Sequence, residues 1–202
     1  MKIAKTAVWP QAFGMLLAFT VLCGGLYTLL LTGLLQAVFP QQAHGSLIFS
    51  RDGELCGSKY IGQLTRGAGH LWGRVMHPDS AVYKAADGEA LFYSGPSNLS
   101  PASADYKELL AERVACIRAA HPEMGAAPVP ADLVTNSGSG LDPEISPAAA
   151  AYQVRRLART TGRSEDEIKD IIAHCTQRRF LGIFGEPRVN VLQVNLLLDG
   201  KA

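Results

Sequence analysis

The sequence predicts an α+β protein in which one N-terminal transmembrane helix precedes a single extracytoplasmic α/β domain with helices packed on a small sheet. Three observations predict this fold class. The first forty residues are almost entirely apolar, three helix-start signals follow, and short strand-like segments lie at both ends of the remainder. We therefore expect a membrane segment at 1–40, with the span at about 11–36, and one domain at 41–202, for which 202 residues leave enough chain.

The N-terminal segment carries the strongest signal. No Asp, Glu, Lys or Arg lies between Lys5 and Arg51, and about 20 apolar residues are enough to cross a bilayer. Trp9 and Phe39 stand near its ends like interfacial anchors, and the positive charge of Lys2 and Lys5 predicts a cytoplasmic N-terminus. A cleaved signal peptide has a shorter apolar core, and a soluble helix of this length would show a polar stripe. The segment therefore predicts a retained single span.

Small residues gather within this span. Gly24, Gly25, Thr28 and Thr32 recur at three- and four-residue spacing, which places them on one face of a helix. A face of small side chains lets another membrane helix approach closely. Glycine and threonine are also frequent in membrane helices that have no such contact. The pattern makes these residues a candidate packing face and leaves both interpretations open.

The outer domain begins soon after the span, because 41–45 form only a short polar linker. Residues 46–50 indicate a strand that enters a turn, with Gly53 suited to a positive φ. Capping residues then open three helices with apolar faces. These helices are predicted at 103–121, at 146–161, and from Ser164 through Ile172. The C-terminal run 188–199 shows apolar and amide residues in alternation, which predicts a strand.

Charge and metal-ligand spacing exclude two classes of function. The 19 basic and 18 acidic residues nearly cancel, so the electrostatics give no reason to expect nucleic-acid binding. The five histidines are dispersed, and none pairs with another ligand at helical or finger spacing. We expect no metal site and a solvated or core position for each histidine.

The four cysteines are also scattered. Cys23 lies in the predicted span, and Cys56, Cys116 and Cys175 are far apart in the domain. Free cysteines usually behave as small buried apolar residues, which is the expected state here. In an extracytoplasmic domain one pair of the three is able to form a disulfide. The spacing of the cysteines does not show whether two of them form a disulfide or all remain free thiols.

The segment 128–147 consists of turn-forming residues that lead into a helix. Within it, Ser137, Gly138, Ser139 and Gly140 alternate, and such a loop is able to present amides and hydroxyls to an anion such as phosphate. The spacing matches neither glycine-rich phosphate-binding pattern, and no lysine lies beside it. Ordinary turns explain the composition equally well.

A nucleophilic serine is the alternative chemistry for the loop Ser137–Gly140. Asp132 or Asp142 with one histidine would complete a triad, although the loop lacks the strand–turn–helix elbow of a serine hydrolase. On this interpretation the chain is a stand-alone, membrane-anchored periplasmic hydrolase or solute-binding domain. This hypothesis competes with the one that the whole pattern of motifs supports.

That pattern resembles one family along almost the whole chain: the C subunit (KdpC) of the bacterial Kdp potassium-transporting P-type ATPase. The resemblance includes the single N-terminal span and a series of short motifs in one order. These motifs are 45–48 (GSLI), 57–58 (GS), 61–63 (IGQ), 72–74 (WGR), 97–99 (SNL), 129–135 (VPADLVT), 137–143 (SGSGLDP), 145–147 (ISP), 153–154 (QV) and 185–192 (GEPRVNVL). The chain departs from the family at Glu144, where a histidine is usual, which puts any role of that histidine in doubt here.

The resemblance implies an accessory subunit of the bacterial inner membrane, with a periplasmic domain and no catalytic residues of its own. Its partners would be the channel-like A subunit, which provides the ion path, and the B subunit, which hydrolyses ATP. The family is described as a catalytic chaperone that raises the affinity of the B subunit for ATP. A domain outside the membrane reaches a cytoplasmic nucleotide site only by coupling through packed helices. If ATP contacts this chain directly, Gln63 and the loop Ser137–Gly140 are the first candidates.

Overall fold

The computed structural model describes residues 8–76, 78–84, 90–92 and 94–201. The chain divides into two compact units, Met1–Ser46 and Leu47–Ala202. The first unit is helical and the second contains both helices and strands, so the α+β class is confirmed. Lys2 and Lys5, which carry the topology prediction, lie outside the described residues.

The apolar segment forms one helical stretch, Val8–Val38, and none of its most apolar window is buried. Among the described residues it is the one helix long and apolar enough to cross a membrane, and it contains the predicted span. It consists of α1 (Val8–Phe19), a π-helical stretch (Thr20–Tyr27) and α2 (Thr28–Val38). The Thr28 hydroxyl donates to the Cys23 carbonyl at 2.8 Å, a five-residue separation that matches the wide π turn. A short helix, α3 (Pro40–Ala43), follows.

Among the described residues of the second unit, the strands are short and pair antiparallel in three small sheets. Two sheets are hairpins, β1–β2 and β3–β4, and the third has the order β5–β7–β6. The strands are β1 (Leu47–Phe49), β2 (Leu55–Ser58), β3 (Pro78–Lys84), β4 (Ala90–Phe92), β5 (Glu144–Ile145), β6 (Thr176–Gln177) and β7 (Arg188–Asn190). The predicted first strand is β1, and Gly53 in the turn after it has φ +81°, as expected.

Helices supply most of the packing around these sheets. They are α4 (Ala104–Ala120), α5 (Pro147–Tyr152), α6 (Val154–Thr161), α7 (Glu165–His174) and α8 (Val191–Leu198). The two predicted caps are confirmed, because the side chains of Ser146 and Ser164 each accept a backbone N–H from the first turn, and Ser103 caps α4 in the same way. At Ser164 the Glu167 carboxylate completes a capping box. The starts of α4, α5 and α7 were therefore predictable from local chemistry.

The prediction of one continuous helix over 146–161 is wrong, because the helix is interrupted at Gln153 between α5 and α6. The Gln153 side chain is fully buried. Its Oε1 accepts from the Trp72 amide and its Nε2 donates to the Trp72 carbonyl, both at 2.9 Å. The buried backbone of Trp72 needs hydrogen-bond partners, and Gln153 supplies them at the point where the predicted helix is interrupted.

The prediction of a C-terminal strand over 188–199 is also wrong beyond its first three residues. Only Arg188–Asn190 is a strand (β7), and α8 begins immediately after it. The Asn190 side chain accepts from the Gln193 amide at 3.0 Å and so caps the helix. The buried residues of α8 include Val191, Val194, Asn195 and Leu198, a helical spacing. A short run of apolar and amide residues fits both the period of a strand and the period of a helix, and the Asn190 cap favours the helix.

Asn195 makes the same pair of hydrogen bonds as Gln153, but with the backbone of Leu71, the residue before Trp72. Its Oδ1 accepts from the Leu71 amide at 2.7 Å, and its Nδ2 donates to the Leu71 carbonyl at 3.0 Å. Leu71 and Trp72 belong to no strand, yet both backbone groups of each are satisfied by a buried amide side chain. The two amides thereby fix the backbone of Leu71 and Trp72, whose side chains belong to the hydrophobic core.

Candidate functional site

Gln63 lies beside β2 with its side chain folded onto the backbone. Its Nε2 donates to the Cys56 carbonyl at 3.0 Å. A Cβ atom at Gly57 would lie 1.8 Å from that same nitrogen, which the exposed Gln63 side chain is free to move, whereas the φ of +146° at Gly57 favours glycine. The side chain is exposed, and its contact with Cys56 orders the turn after β2.

The loop Ser137–Gly140 is closed by its own hydroxyl groups. The Gly140 amide donates to Ser137 Oγ at 2.8 Å, and the Leu141 amide donates to Ser139 Oγ at 3.2 Å. The two hydroxyls lie 3.2 Å apart. An anion that used these two amides would have to displace both hydroxyls. The arrangement is a hydrogen-bonded turn, and its proposed part in nucleotide contact stays a prediction.

The structure brings Gln63 and this loop into one region. The Gly62 amide donates to the Leu141 carbonyl at 2.8 Å, which joins the residue before Gln63 to the residue after Gly140. A crevice between Gln63 and Asp142 encloses about 10 Å³, which is no more than the space of one water molecule. Among the described residues, this crevice is therefore too small for a small-molecule ligand.

A third loop packs on the same region. The Ser94 hydroxyl donates to the Ser139 carbonyl at 2.9 Å. A Cβ at Gly140, where φ is +73°, would lie 2.4 Å from the carbonyl oxygen of Gly95. The backbones are thus in direct contact, which only glycine at position 140 permits. We call the three segments 57–63, 94–99 and 137–142 the loop surface.

Arg74 supports the loop surface from beneath, and the sequence prediction missed this role. Its guanidinium donates to the Asn136 carbonyl at 2.8 Å and lies 3.9 Å from Asp132 and 3.8 Å from Asp142. Asp132 in turn accepts the Ser146 amide at 2.8 Å, at the start of α5. The only sequence signal was the position of Arg74 beside a tryptophan and a glycine. One half-buried cation thus connects both ends of the segment 132–142.

The predicted helix-packing residues lie in the first unit. Gly24 and Gly25 fall within the π-helical stretch, and Thr28 and Thr32 lie in α2. Apart from the backbone of their own helix and their chain neighbours, no atom of the described residues lies within 4 Å of a Cβ built on either glycine. The open space agrees with a surface on which another helix is able to pack, although it does not test that prediction.

The cysteines and the metal-ligating residues form no centre in the part of the chain that the structure describes. All four cysteines are free thiols, but the expected burial is wrong for Cys116, which is exposed, and incomplete for Cys56; only Cys175 is buried, and burial raises the pKa of its thiol to about 11. A raised pKa keeps this thiol protonated and unreactive at neutral pH. No three His, Cys, Asp or Glu side chains among the described residues lie close enough together to hold a metal ion.

Comparisons with known proteins identify the family. The family model described as "KdpC: K+-transporting ATPase, c chain" matches residues 9–200. The chain belongs to the KdpC family. Proteins named "Potassium-transporting ATPase KdpC subunit" are similar to it along nearly the full length. The relative from Clostridium botulinum (strain Eklund 17B / Type B) is 47% identical over 194 residues, covering 96% of each chain.

Two further KdpC subunits agree. The protein from Clostridium perfringens is 50% identical over 184 residues, which cover 91% of this chain and 92% of that protein. The protein from Sorangium cellulosum is 50% identical over 189 residues, which cover 94% of this chain and 95% of that protein. The match therefore includes both the apolar helix and the α+β unit, and the resemblance stated from the motifs is confirmed.

Glu144 stands where the resemblance implies a histidine, and the structure shows what the carboxylate does. Its Oε2 lies 2.7 Å from Nε of Arg188, on the neighbouring strand β7. Arg188 also donates to the Gln177 side chain on β6 at 2.9 Å. Glu144 thus belongs to a chain of side-chain contacts across the three-stranded sheet, a contact that a neutral histidine would not make as an ion pair.

Proposed function

We propose that this chain is a non-catalytic subunit of a potassium-importing ATPase of the bacterial inner membrane. The observation that carries the proposal is the family match, which runs from residue 9 to residue 200 and so includes both units. The helix Val8–Val38 would cross the membrane once. Lys2 and Lys5 favour a cytoplasmic N-terminus, so that the α+β unit lies in the periplasm.

Its partners would be the channel-like A subunit and the ATP-hydrolysing B subunit. The apolar helix would pack on their membrane helices through Gly24, Gly25, Thr28 and Thr32, whose small side chains allow close approach. The α+β unit would cap the ion entrance of the A subunit. The loop surface suits such a contact, because its backbone is fixed by internal hydrogen bonds before any partner arrives.

An effect on ATP would reach the B subunit through the membrane helices. In the proposed topology the α+β unit and the nucleotide lie on opposite sides of the bilayer. The chain would raise the affinity for ATP by favouring the B-subunit conformation that binds it. Gln63 and the loop Ser137–Gly140 are the residues to vary in a search for direct nucleotide contact, and the hydroxyl contacts within the loop favour the indirect route.

Potassium uptake tests the proposal. Cells that depend on this complex would express the full chain, a version ending after Gly45, or the variant Ser137→Ala/Ser139→Ala. We expect the truncated chain to abolish uptake at micromolar potassium although it keeps the apolar helix. Uptake that survives the truncation would contradict the proposal. Uptake that is lost with the truncation but kept by the double serine variant would speak against the hydrolase or solute-binding alternative, which depends on those two hydroxyls.

A further inference from the structure

Residues Phe180–Phe184 form a hairpin tip with an unusual surface. Four of the five side chains are large and apolar, and each is between 62% and 73% exposed: Phe180, Leu181, Ile183 and Phe184. The fifth residue is Gly182. Large apolar side chains that are exposed together on an ordered segment usually mark a contact with another molecule or a membrane.

The backbone holds this tip in one conformation. Phe180 and Phe184 exchange both backbone hydrogen bonds, at 2.8 Å and 2.9 Å. The amides of Gly182 and Ile183 donate to the carbonyls of Arg179 and Phe180 within the turn. Leu181 has φ +52°, a region that bulky L-residues rarely adopt. A tight turn of this kind keeps the apolar groups pointing away from the domain core.

Arginines surround the base of the tip. Arg178 and Arg179 precede it, and Arg188 follows it on β7. Arg179 pairs with Glu186 at 2.7 Å, and Arg188 pairs with Glu144 at 2.7 Å. The Arg178 side chain is exposed, with no ion pair to any of the residues described. The base is therefore net positive, and arginine side chains of this length extend readily to phosphate groups.

The tether to the membrane is short. The apolar helix ends at Val38 and the first strand begins at Leu47, with the short helix Pro40–Ala43 between them. Eight linking residues reach at most about 28 Å, even fully extended. The α+β unit is therefore tethered to the proposed membrane span by a short linker, and such a tether raises the effective concentration of its surface at the bilayer.

We propose that the Phe180–Phe184 tip enters the boundary between headgroups and acyl chains of the bilayer that holds the apolar helix, with Arg178 at the lipid phosphates. Apolar residues flanked by arginine are typical of segments that lie in this boundary. The inference goes beyond the proposed function, because it requires the single span but neither the A nor the B subunit.

Tryptophan fluorescence in vesicles tests the proposal. The full chain with Trp9→Phe would be reconstituted alone into vesicles of phosphatidylethanolamine and phosphatidylglycerol whose acyl chains are brominated or not. Ile183→Trp places the probe in the tip, Phe184→Trp repeats the test, and Ala111→Trp on the exposed side of α4 is the matched control. We expect bromine to quench most of the emission added by Ile183→Trp and to leave that added by Ala111→Trp unchanged.

Three outcomes would overturn the proposal. Emission from both tip probes that is insensitive to bromine would place the tip in water. A blue shift that appears only when the A and B subunits are added would identify a protein partner as the occupant. A shift that grows with the ratio of protein to lipid, without quenching, would identify a second copy of the chain. None of these results depends on potassium transport, so this inference and the proposed function fail separately.

Discussion

Nε of Arg156 donates to Nε2 of His121 at 2.9 Å in the centre of the domain, where the two residues are only 2% and 1% exposed. Nδ1 of His121 lies 2.7 Å from the Ile117 carbonyl, so the imidazole is the neutral tautomer with its proton on Nδ1. The guanidinium also donates to Gln153 Oε1 and to two backbone carbonyls, at positions 68 and 70. It lies 4.5 Å from the centroid of the Trp72 ring.

Arg156→Met should destabilise the domain strongly. The change leaves Nε2 of His121 and the His70 carbonyl without a donor, and it removes one of two donors from Gln153 Oε1 and from the Ala68 carbonyl, which costs about 3–5 kcal/mol. We expect the unfolding temperature of the full chain in detergent to fall on the order of 10 °C. Arg155→Met is the matched control, because Arg155 is exposed and its contact with Glu165 is 3.9 Å long. Equal shifts for the two variants would contradict the role of the Arg156 network.

This network explains what the sequence could and could not predict. Ser103, Ser146 and Ser164 act on their own helices within three residues, so the helix starts were readable locally. Arg156 and Gln153 serve carbonyls and amides more than 80 positions away in the chain. No periodic pattern in the sequence indicates hydrogen bonds between residues so far apart in the chain. The sequence therefore predicted apolar faces and caps but missed the buried cation and the break at Gln153.

The candidate site shows the same division. The motifs marked the loop Ser137–Gly140 and Gln63 separately, because glycine and serine spacing is visible in the sequence. Their proximity depends on the Gly62–Leu141 hydrogen bond, and their support depends on Arg74, which binds carbonyls and carboxylates from segments about 60 residues away. Long-range backbone contacts of this kind are set by tertiary packing and leave no local signature.

His121 should make stability depend on pH. Desolvation by burial, with the Arg156 charge as a smaller cause, lowers the pKa of His121 below its ordinary value of 6.5. The unfolded chain then binds a proton that the folded chain does not. The stabilising contribution of neutral His121 is complete above pH 6.5 and is lost as the pH falls toward the lower folded pKa.

Unfolding temperatures between pH 8 and pH 5 check this prediction. The difference between the parent chain and His121→Gln should be constant above about pH 6.5 and should shrink below it. The variant His174→Gln, at an exposed position, should follow the parent chain throughout. A parent-to-His121→Gln difference that stays constant down to pH 5 would show that the histidine is not held neutral.

Gly140→Ala should disrupt the loop surface. The added Cβ meets the Gly95 carbonyl at 2.4 Å, and φ at this position is +73°, so we expect a loss of about 2–4 kcal/mol. Gly138→Ala is the matched control in the same loop, because no atom lies within 4 Å of its Cβ position. Thermal unfolding of the two variants measures the difference. A loss in Gly138→Ala as large as that in Gly140→Ala would contradict the packing described for Gly95.

Gly25→Leu should weaken assembly without unfolding the domain. The larger side chain would fill the face on which a partner helix is proposed to pack. Leu30→Phe is the control, because two residues turn a helix by about 200° and Leu30 therefore lies opposite Thr28 and Thr32. The amount of A and B subunit that co-purifies measures the effect. Equal losses for the two variants, or no loss for either, would remove the proposed packing face.

Purification of the intact chain tests the central claim most directly. Membranes from cells that express the chain with the A and B subunits would be dissolved in mild detergent, and the chain would be captured through an added tag. We predict that both subunits remain bound at a constant ratio through size-exclusion chromatography. Recovery of the chain alone, with its domain folded, would contradict the account of this protein as a subunit of the potassium-transporting complex.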